Sequence, residues 1–158
     1  MATILGGGDY IYEELEIWAQ LPDGWTLQEV PDVAVDLNDR VYLFNRSEHP
    51  MIVLEPDGSF VTSWGEDLFD RPHGLTMGLD GTIFCVDDNG HCVRKCTLDG
   101  EVLMTIGTPG KSAPFQSGRP FNRPTKLAID PKMGDLYISD GYGNAKVHKY
   151  SSDGEYLF

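Results

Sequence analysis

The sequence predicts an all-β chain built from a repeated unit of four short strands, and three observations carry that prediction. A proline leading into an apolar strand recurs as Pro31-Asp32-Val33-Ala34-Val35-Asp36, Pro72-His73-Gly74-Leu75-Thr76-Met77 and Pro124-Thr125-Lys126-Leu127-Ala128-Ile129. The Asp-Gly turns at Asp57-Gly58, Asp99-Gly100 and Asp153-Gly154 lie 42 and then 54 residues apart, and Trp64-Gly65 and Ile106-Gly107 end apolar runs 42 apart. No stretch combines the length and the 3.6-residue periodicity of a helix. A period near 42 residues, filled with strands of about five, accommodates four strands per unit.

That is the arithmetic of a propeller blade. The residue after each proline changes from Asp32 to His73 to Thr125 while the apolar strand behind it stays constant. A fixed frame with a varied polar slot is what a ring of blades around a shared central site produces.

Taken in order, Met1–Asp9 should be loose, because Gly6-Gly7-Gly8 disfavours a regular element. From Ile11 to Trp18, Leu15 and Ile17 alternate with Glu14 and Glu16, a strand pattern with helix as the alternative; Pro22-Asp23-Gly24 ends either. Residues 1–24 thus form an N-terminal segment that offers a closing strand. Residues 25–158 hold three blades, over about 25–65, 66–118 and 119–158.

The first blade reads as Val33–Asp36, Arg40–Phe44, Met51–Leu54 and Phe60–Trp64, each rich in β-branched and aromatic residues and bounded by turn chemistry. The second reads as Leu75–Met77, Thr82–Val86, Cys92–Thr97 and Glu101–Ile106. The third has Lys126–Ile129, Asp135–Ser139, Lys146–Tyr150 and a last strand that breaks off at Phe158. The 12 extra residues of the longer spacing fall in Thr108–Asn122, a Pro/Gly/Ser-rich inserted loop. A propeller closes with about four to eight blades. Three leave open edges and an exposed apolar flank, so further blades or a second chain are the expected partner.

Composition narrows the function. At 158 residues, 41% hydrophobic and 11% aromatic, the chain can bury a core. Its formal charge of −13 repels a phosphate backbone, which argues against nucleic acid as a partner. Apolar runs such as Met51–Leu54 are far short of the roughly 20 residues that span a bilayer, so no membrane role is expected. Met1–Gly8 lacks the pattern of a secretory leader, which gives a cytoplasmic expectation. Cys85, Cys92 and Cys96, an odd count on one repeat, read as buried strand thiols rather than a disulfide framework or a metal site with His91.

The repeats resemble the NHL family, whose blades carry a Pro-x-x-(apolar)-Ala-(apolar)-Asp inner strand, a strand ending in Asp and a terminal aromatic-Gly. Within it, Phe44-Asn45-Arg46, Pro72-His73-Gly74-Leu75 and Ser139-Asp140-Gly141-Tyr142-Gly143-Asn144 look like the peptidyl-α-hydroxyglycine α-amidating lyases, six-bladed zinc enzymes. The likeness runs from about Pro31 to the C-terminus. It implies His73 as the first of three zinc histidines, Tyr142 as general base, and Arg46 as the cation that holds the carboxylate of a small peptide substrate and steadies the phenolate. It also implies a structural calcium held partly by the backbone carbonyls of Val33 and Leu75. The substrate class would be a peptide with a C-terminal carboxylate, or another small molecule. Strand alternation places His73, Arg46 and Tyr142 at one mouth of the channel.

Two departures accompany the resemblance. Gly143 and Arg123 stand where the animal lyases have a disulfide, and the other zinc histidines belong to blades four and six; His49, His91 and His148 do not occupy the post-proline slot. Each site residue also has a plainer reading: His73 as a polar cap, Arg46 paired with Glu48, Tyr142 as a packed turn aromatic, and Asp87-Asp88-Asn89 and Asp140 as turn chemistry rather than calcium ligands. The enzymatic reading therefore stands beside a non-catalytic NHL binding scaffold and a half-propeller that self-associates.

Overall fold

The computed structural model describes residues 3–15 and 17–158, and among these it contains thirteen β-strands and no helix. No helix of the described residues is long and apolar enough to cross a membrane. Strands β1 (Ile4–Gly7) and β2 (Tyr10–Glu13) form an antiparallel hairpin. Here the expectation of a loose terminus is corrected. Gly8 takes φ +62° at the first central position of the two-residue loop, where such hairpins favour glycine, and the ladder to Tyr10–Glu13 supplies the order that the glycines lack. The strand expected over Ile11–Trp18 covers only β2; Glu16 lies outside the described residues.

Three sheets follow. β3 (Asp32–Val35), β4 (Val41–Phe44), β5 (Met51–Leu54) and β6 (Phe60–Trp64) pair in chain order, as do β7 (Pro72–Met77), β8 (Ile83–Asp87), β9 (Cys92–Cys96) and β10 (Val102–Gly107). The third sheet has β11 (Lys126–Ile129), β12 (Leu136–Asp140) and β13 (Lys146–Tyr150). Its fourth strand is rudimentary: Tyr150 bridges Tyr156, and the Leu157 N–H donates to the Lys149 carbonyl at 2.8 Å.

The first strands β3, β7 and β11 lie side by side. Between the first and second sheets Tyr42, Phe44, Met51, Val53 and Trp64 pack against Leu75, Ile83, Cys85 and Cys96. Between the second and third, Phe84, Val86, Val93 and Ile106 meet Phe121, Leu127, Leu136, Ile138 and Tyr150. All three cysteines are buried and unpaired, in line with strand thiols; burial pushes the Cys92 thiol up to about 11.

The recurring Asp-Gly turns have a common cause beyond turn chemistry. Gly58 and Gly100 have φ of +85° and +94°, and each is pressed by the preceding element. A Cβ on Gly58 would lie 1.9 Å from the Trp18 carbonyl oxygen, and one on Gly100 would lie 2.8 Å from the Trp64 ring. Trp64 Nε1 also donates to the Leu98 carbonyl at 3.0 Å. The same turn that reverses the chain is the seat for its neighbour, and only glycine serves both needs.

Candidate functional site

The site starts with a defect in β7. Pro72 faces Asp87 and Gly74 faces Val86, so His73 is the extra residue of a β-bulge. A bulge re-aims a side chain out of the strand's alternation. Next to it, Gly74 brings β7 close to the third sheet: a Cβ there would sit 2.4 Å from the Thr125 carbonyl oxygen. Aimed this way, His73 Nε2 comes within 3.4 Å of the Tyr142 hydroxyl, with the rings edge-on at 5.8 Å.

Tyr142 stands in the loop between β12 and β13. That loop is anchored by buried Asp140, which accepts from the Asn144 side-chain amide at 2.6 Å and from the Asn122 N–H at 3.1 Å, and meets His148 Nε2 at 3.1 Å. Asp87 plays the matching part in the second sheet, accepting from the N–H groups of Asp70 and Arg71 at 2.8 Å, and Asn45 accepts from Gln28 N–H in the first. These polar ends of the second strands fix the segment that leads into each innermost strand, and so fix the post-proline slot. Asp87 and Asp140 spend both oxygens on such contacts, in keeping with turn chemistry.

Arg46, from the loop after β4, donates through Nε to the Pro72 carbonyl at 2.9 Å, which places its guanidinium beside His73. The expected pairing with Glu48 is replaced by one with Glu29: Nη1 to Oε2 is 2.6 Å, and the Arg46 N–H donates to the Glu29 carbonyl at 2.9 Å. The Arg46 guanidinium holds the Glu29 carboxyl below its ordinary range. Proximity in sequence favoured Glu48, but the backbone contact across 17 residues brings Glu29 into line.

Sequence reasoning gave Arg123 no role. Its guanidinium lies 4.6 Å from the Tyr142 ring centroid, and Nη2 donates to Asp88 Oδ2 at 2.9 Å. Arg71 donates to the same oxygen at 2.9 Å. Asp88 is fully buried, and its other oxygen, Oδ1, has no hydrogen-bond partner. One buried carboxylate thus pins two guanidiniums, and one of these stacks on the tyrosine. Only the sign of the surroundings was a clue: a cation next to Asn122 in an acidic chain.

Zinc and calcium can be tested against these positions. Among the described residues no three His, Cys, Asp or Glu side chains group to hold a metal. His73 fits as one ligand, an imidazole aimed at the mouth. The other histidines are engaged: His49 stacks on Trp25 at 3.3 Å, His91 Nδ1 accepts from the Arg123 N–H at 3.1 Å, and His148 is buried beside Asp140. For calcium the fit fails at Leu75, whose carbonyl accepts from Lys126 Nζ at 2.7 Å.

Residues 121–150 match the model of the NHL repeat. The chain carries an NHL repeat. This NHL chain is 35% identical over 114 residues to peptidyl-alpha-hydroxyglycine alpha-amidating lyase 1 of Drosophila melanogaster, covering 70% of the chain and 20% of that protein. It is 34% identical over 115 residues to peptidyl-glycine alpha-amidating monooxygenase B of Xenopus laevis, covering 70% of the chain and 13% of the relative. Against NHL repeat-containing protein 3 of Homo sapiens the identity is 32% over 133 residues, covering 77% and 38%. The chain therefore spans well under half the length of these relatives. Among solved structures, a gluconolactonase from Xanthomonas campestris superposes with a TM-score of 0.66 at 19% identity, covering 92% of this chain and 50% of that one. Streptogramin B lyase gives 0.58 at 18%, covering 94% and 43%. These structural likenesses show the fold, that of the β-propellers.

Proposed function

We propose that the chain is the blade set of a zinc-dependent carbon–nitrogen lyase that cleaves peptidyl-α-hydroxyglycine to a peptide amide and glyoxylate. The observation that carries this reading is the meeting of His73 and Tyr142, 69 residues apart, at 3.4 Å across two sheets, with Arg46 against the neighbouring Pro72 carbonyl. Homology to the amidating enzymes supports it.

His73 is the ligand this chain would give to zinc, which when bound supplies Lewis acidity toward the substrate hydroxyl. Tyr142, as phenolate, takes the hydroxyl proton. The O–H electron pair becomes the carbonyl π bond of glyoxylate as the carbon–nitrogen pair leaves with the amide nitrogen, which is then protonated. Arg46 meets the substrate carboxylate in place of Glu29. Arg123, anchored on Asp88, lies over the Tyr142 ring and fixes its plane.

The test is turnover of an α-hydroxyglycine peptide by a longer protein that contains these blades and its full zinc set. Tyr142→Phe should lower kcat at least about 100-fold with zinc content unchanged, the usual scale for a lost general base. Retained turnover overturns the assignment. The 158-residue chain alone, with one histidine aimed at the mouth, should lose zinc on dialysis; one tightly held zinc per chain, lost in His73→Ala, would contradict the proposed ligand set.

A second reading is a non-catalytic NHL scaffold. It is favoured by the Glu29–Arg46 pair, which occupies the guanidinium that catalysis would need, and by the likeness to NHL repeat-containing protein 3.

A further inference from the structure

The channel face of the innermost strands carries a contact that ties all three sheets. Asp32, in the post-proline slot of β3, accepts the Val33 N–H at Oδ1 (2.9 Å) and the Leu75 N–H of β7 at Oδ2 (2.7 Å). The ammonium of Lys126, the first residue of β11, donates to the same Asp32 Oδ2 and, at 2.7 Å, to the Leu75 carbonyl. In an extended strand the N–H and C=O of one residue project to the same side. Leu75 therefore presents both to the channel, where a carboxylate takes the first and an ammonium the second. Asp32 and Lys126 are 94 residues apart, and their charges cancel.

A calcium ion at this place would need about 6–8 oxygen ligands at about 2.3–2.6 Å, the Leu75 carbonyl among them. That oxygen is engaged, and a divalent cation beside a fixed ammonium is opposed by like charge. We propose that Lys126 is a built-in cation that takes the place of a structural calcium in this chain, cross-linking β3, β7 and β11 through Asp32 and Leu75 without a metal. The calcium it is set against rests on the resemblance to the amidating lyases, but the contact itself involves no reacting group of the lyase reading.

Thermal unfolding and calorimetric titration of the 158-residue chain decide it. The wild-type midpoint should be the same in calcium chloride and in EGTA, and titration with calcium should show no saturable binding. A midpoint that rises with calcium, or a saturating site, overturns the proposal. Lys126→Met should lower the midpoint by about 2–4 °C, the shift expected when a half-exposed ion pair worth about 1 kcal/mol is lost from a chain of this size. An unchanged midpoint removes the cross-link. If that variant does not fold, Asp32→Asn and Lys126→Arg replace it: loss of stability in the first with retention in the second supports an internal ion pair, whereas equal loss in both overturns it. In the Asp32→Asn/Lys126→Met double variant the two losses should overlap; strictly additive losses would mean the two side chains do not act together.

Discussion

Val33, Leu75 and Leu127 hold the same position on three successive innermost strands, pairing with Leu43, Cys85 and Ile138. Leu75 and Leu127 are each 1% exposed, whereas Val33 is 51% exposed. The cause is what precedes each sheet. Leu75 packs on the first sheet and Leu127 on the second, but the first sheet has only the N-terminal segment before it. Trp18, Ala19, Leu21 and Trp25 cover Leu43, Ile52 and Leu54 and leave the innermost strand bare. A blade's inner strand is thus buried by its neighbour's sheet, and a peptide segment wrapped over the middle strands is a partial substitute.

The sharpest way to break that comparison is truncation at the equivalent positions. Leu75→Ala should cost about 2–5 kcal/mol in urea unfolding, the range for a buried leucine, while Val33→Ala should stay within about 1 kcal/mol. Equal losses would mean that Val33 has a packing partner in the folded chain.

The Asp-Gly turns allow a finer test. Gly100→Ala forces a left-handed φ on alanine and drives its Cβ into Trp64, at the joint between the first two sheets; a loss of about 1–3 kcal/mol is expected. Gly58→Ala has the same φ problem but meets Trp18 of the N-terminal segment, which can lift off. Its global loss should be smaller, about 1 kcal/mol, with faster protease cleavage before Trp25 as the distinguishing readout.

The smallest expected effect is on pH. Burial and the nearby Asp36 carboxylate push the Tyr42 phenol up to about 12; burial and Tyr156 do the same for Tyr150. The folded state keeps these protons after the unfolded chain, with its ordinary value near 10, has released them. Their contribution is complete below pH 10 and declines as pH rises from there through about 12. Tyr42→Phe, at the joint of the first two sheets, should flatten the fall in melting temperature over that window; an unaltered slope would show that Tyr42 does not titrate late.

The repeat was legible because its physical requirements are local. Strand alternation, turn glycines and prolines before the innermost strands all act within a few residues, and the structure has strands at the places they mark in the first two sheets and at three of the four in the third. The convergence of His73, Arg46 and Tyr142 was legible for the same reason, since chain ends of alternating strands fall on known sides of a blade. What escaped is long-range or exceptional. The bulge that frees His73 depends on the register of β7 against β8, Glu29 reaches Arg46 through a loop, and Asp88 gathers Arg71 and Arg123 from segments 17 and 35 residues away.

The sequence by itself therefore determined the all-β class of fold and its repeat of short strands, because periodicity and turn chemistry are carried by near neighbours. Only the tertiary structure decided which charges meet: Lys126 with Asp32 on the axis, Arg123 over Tyr142 at the mouth, and a lone glycine-bearing hairpin at the start. A charged side chain's partner is set by where three separate strands bring it within hydrogen-bond reach, a quantity that depends on packing between blades and leaves no periodic trace along the chain.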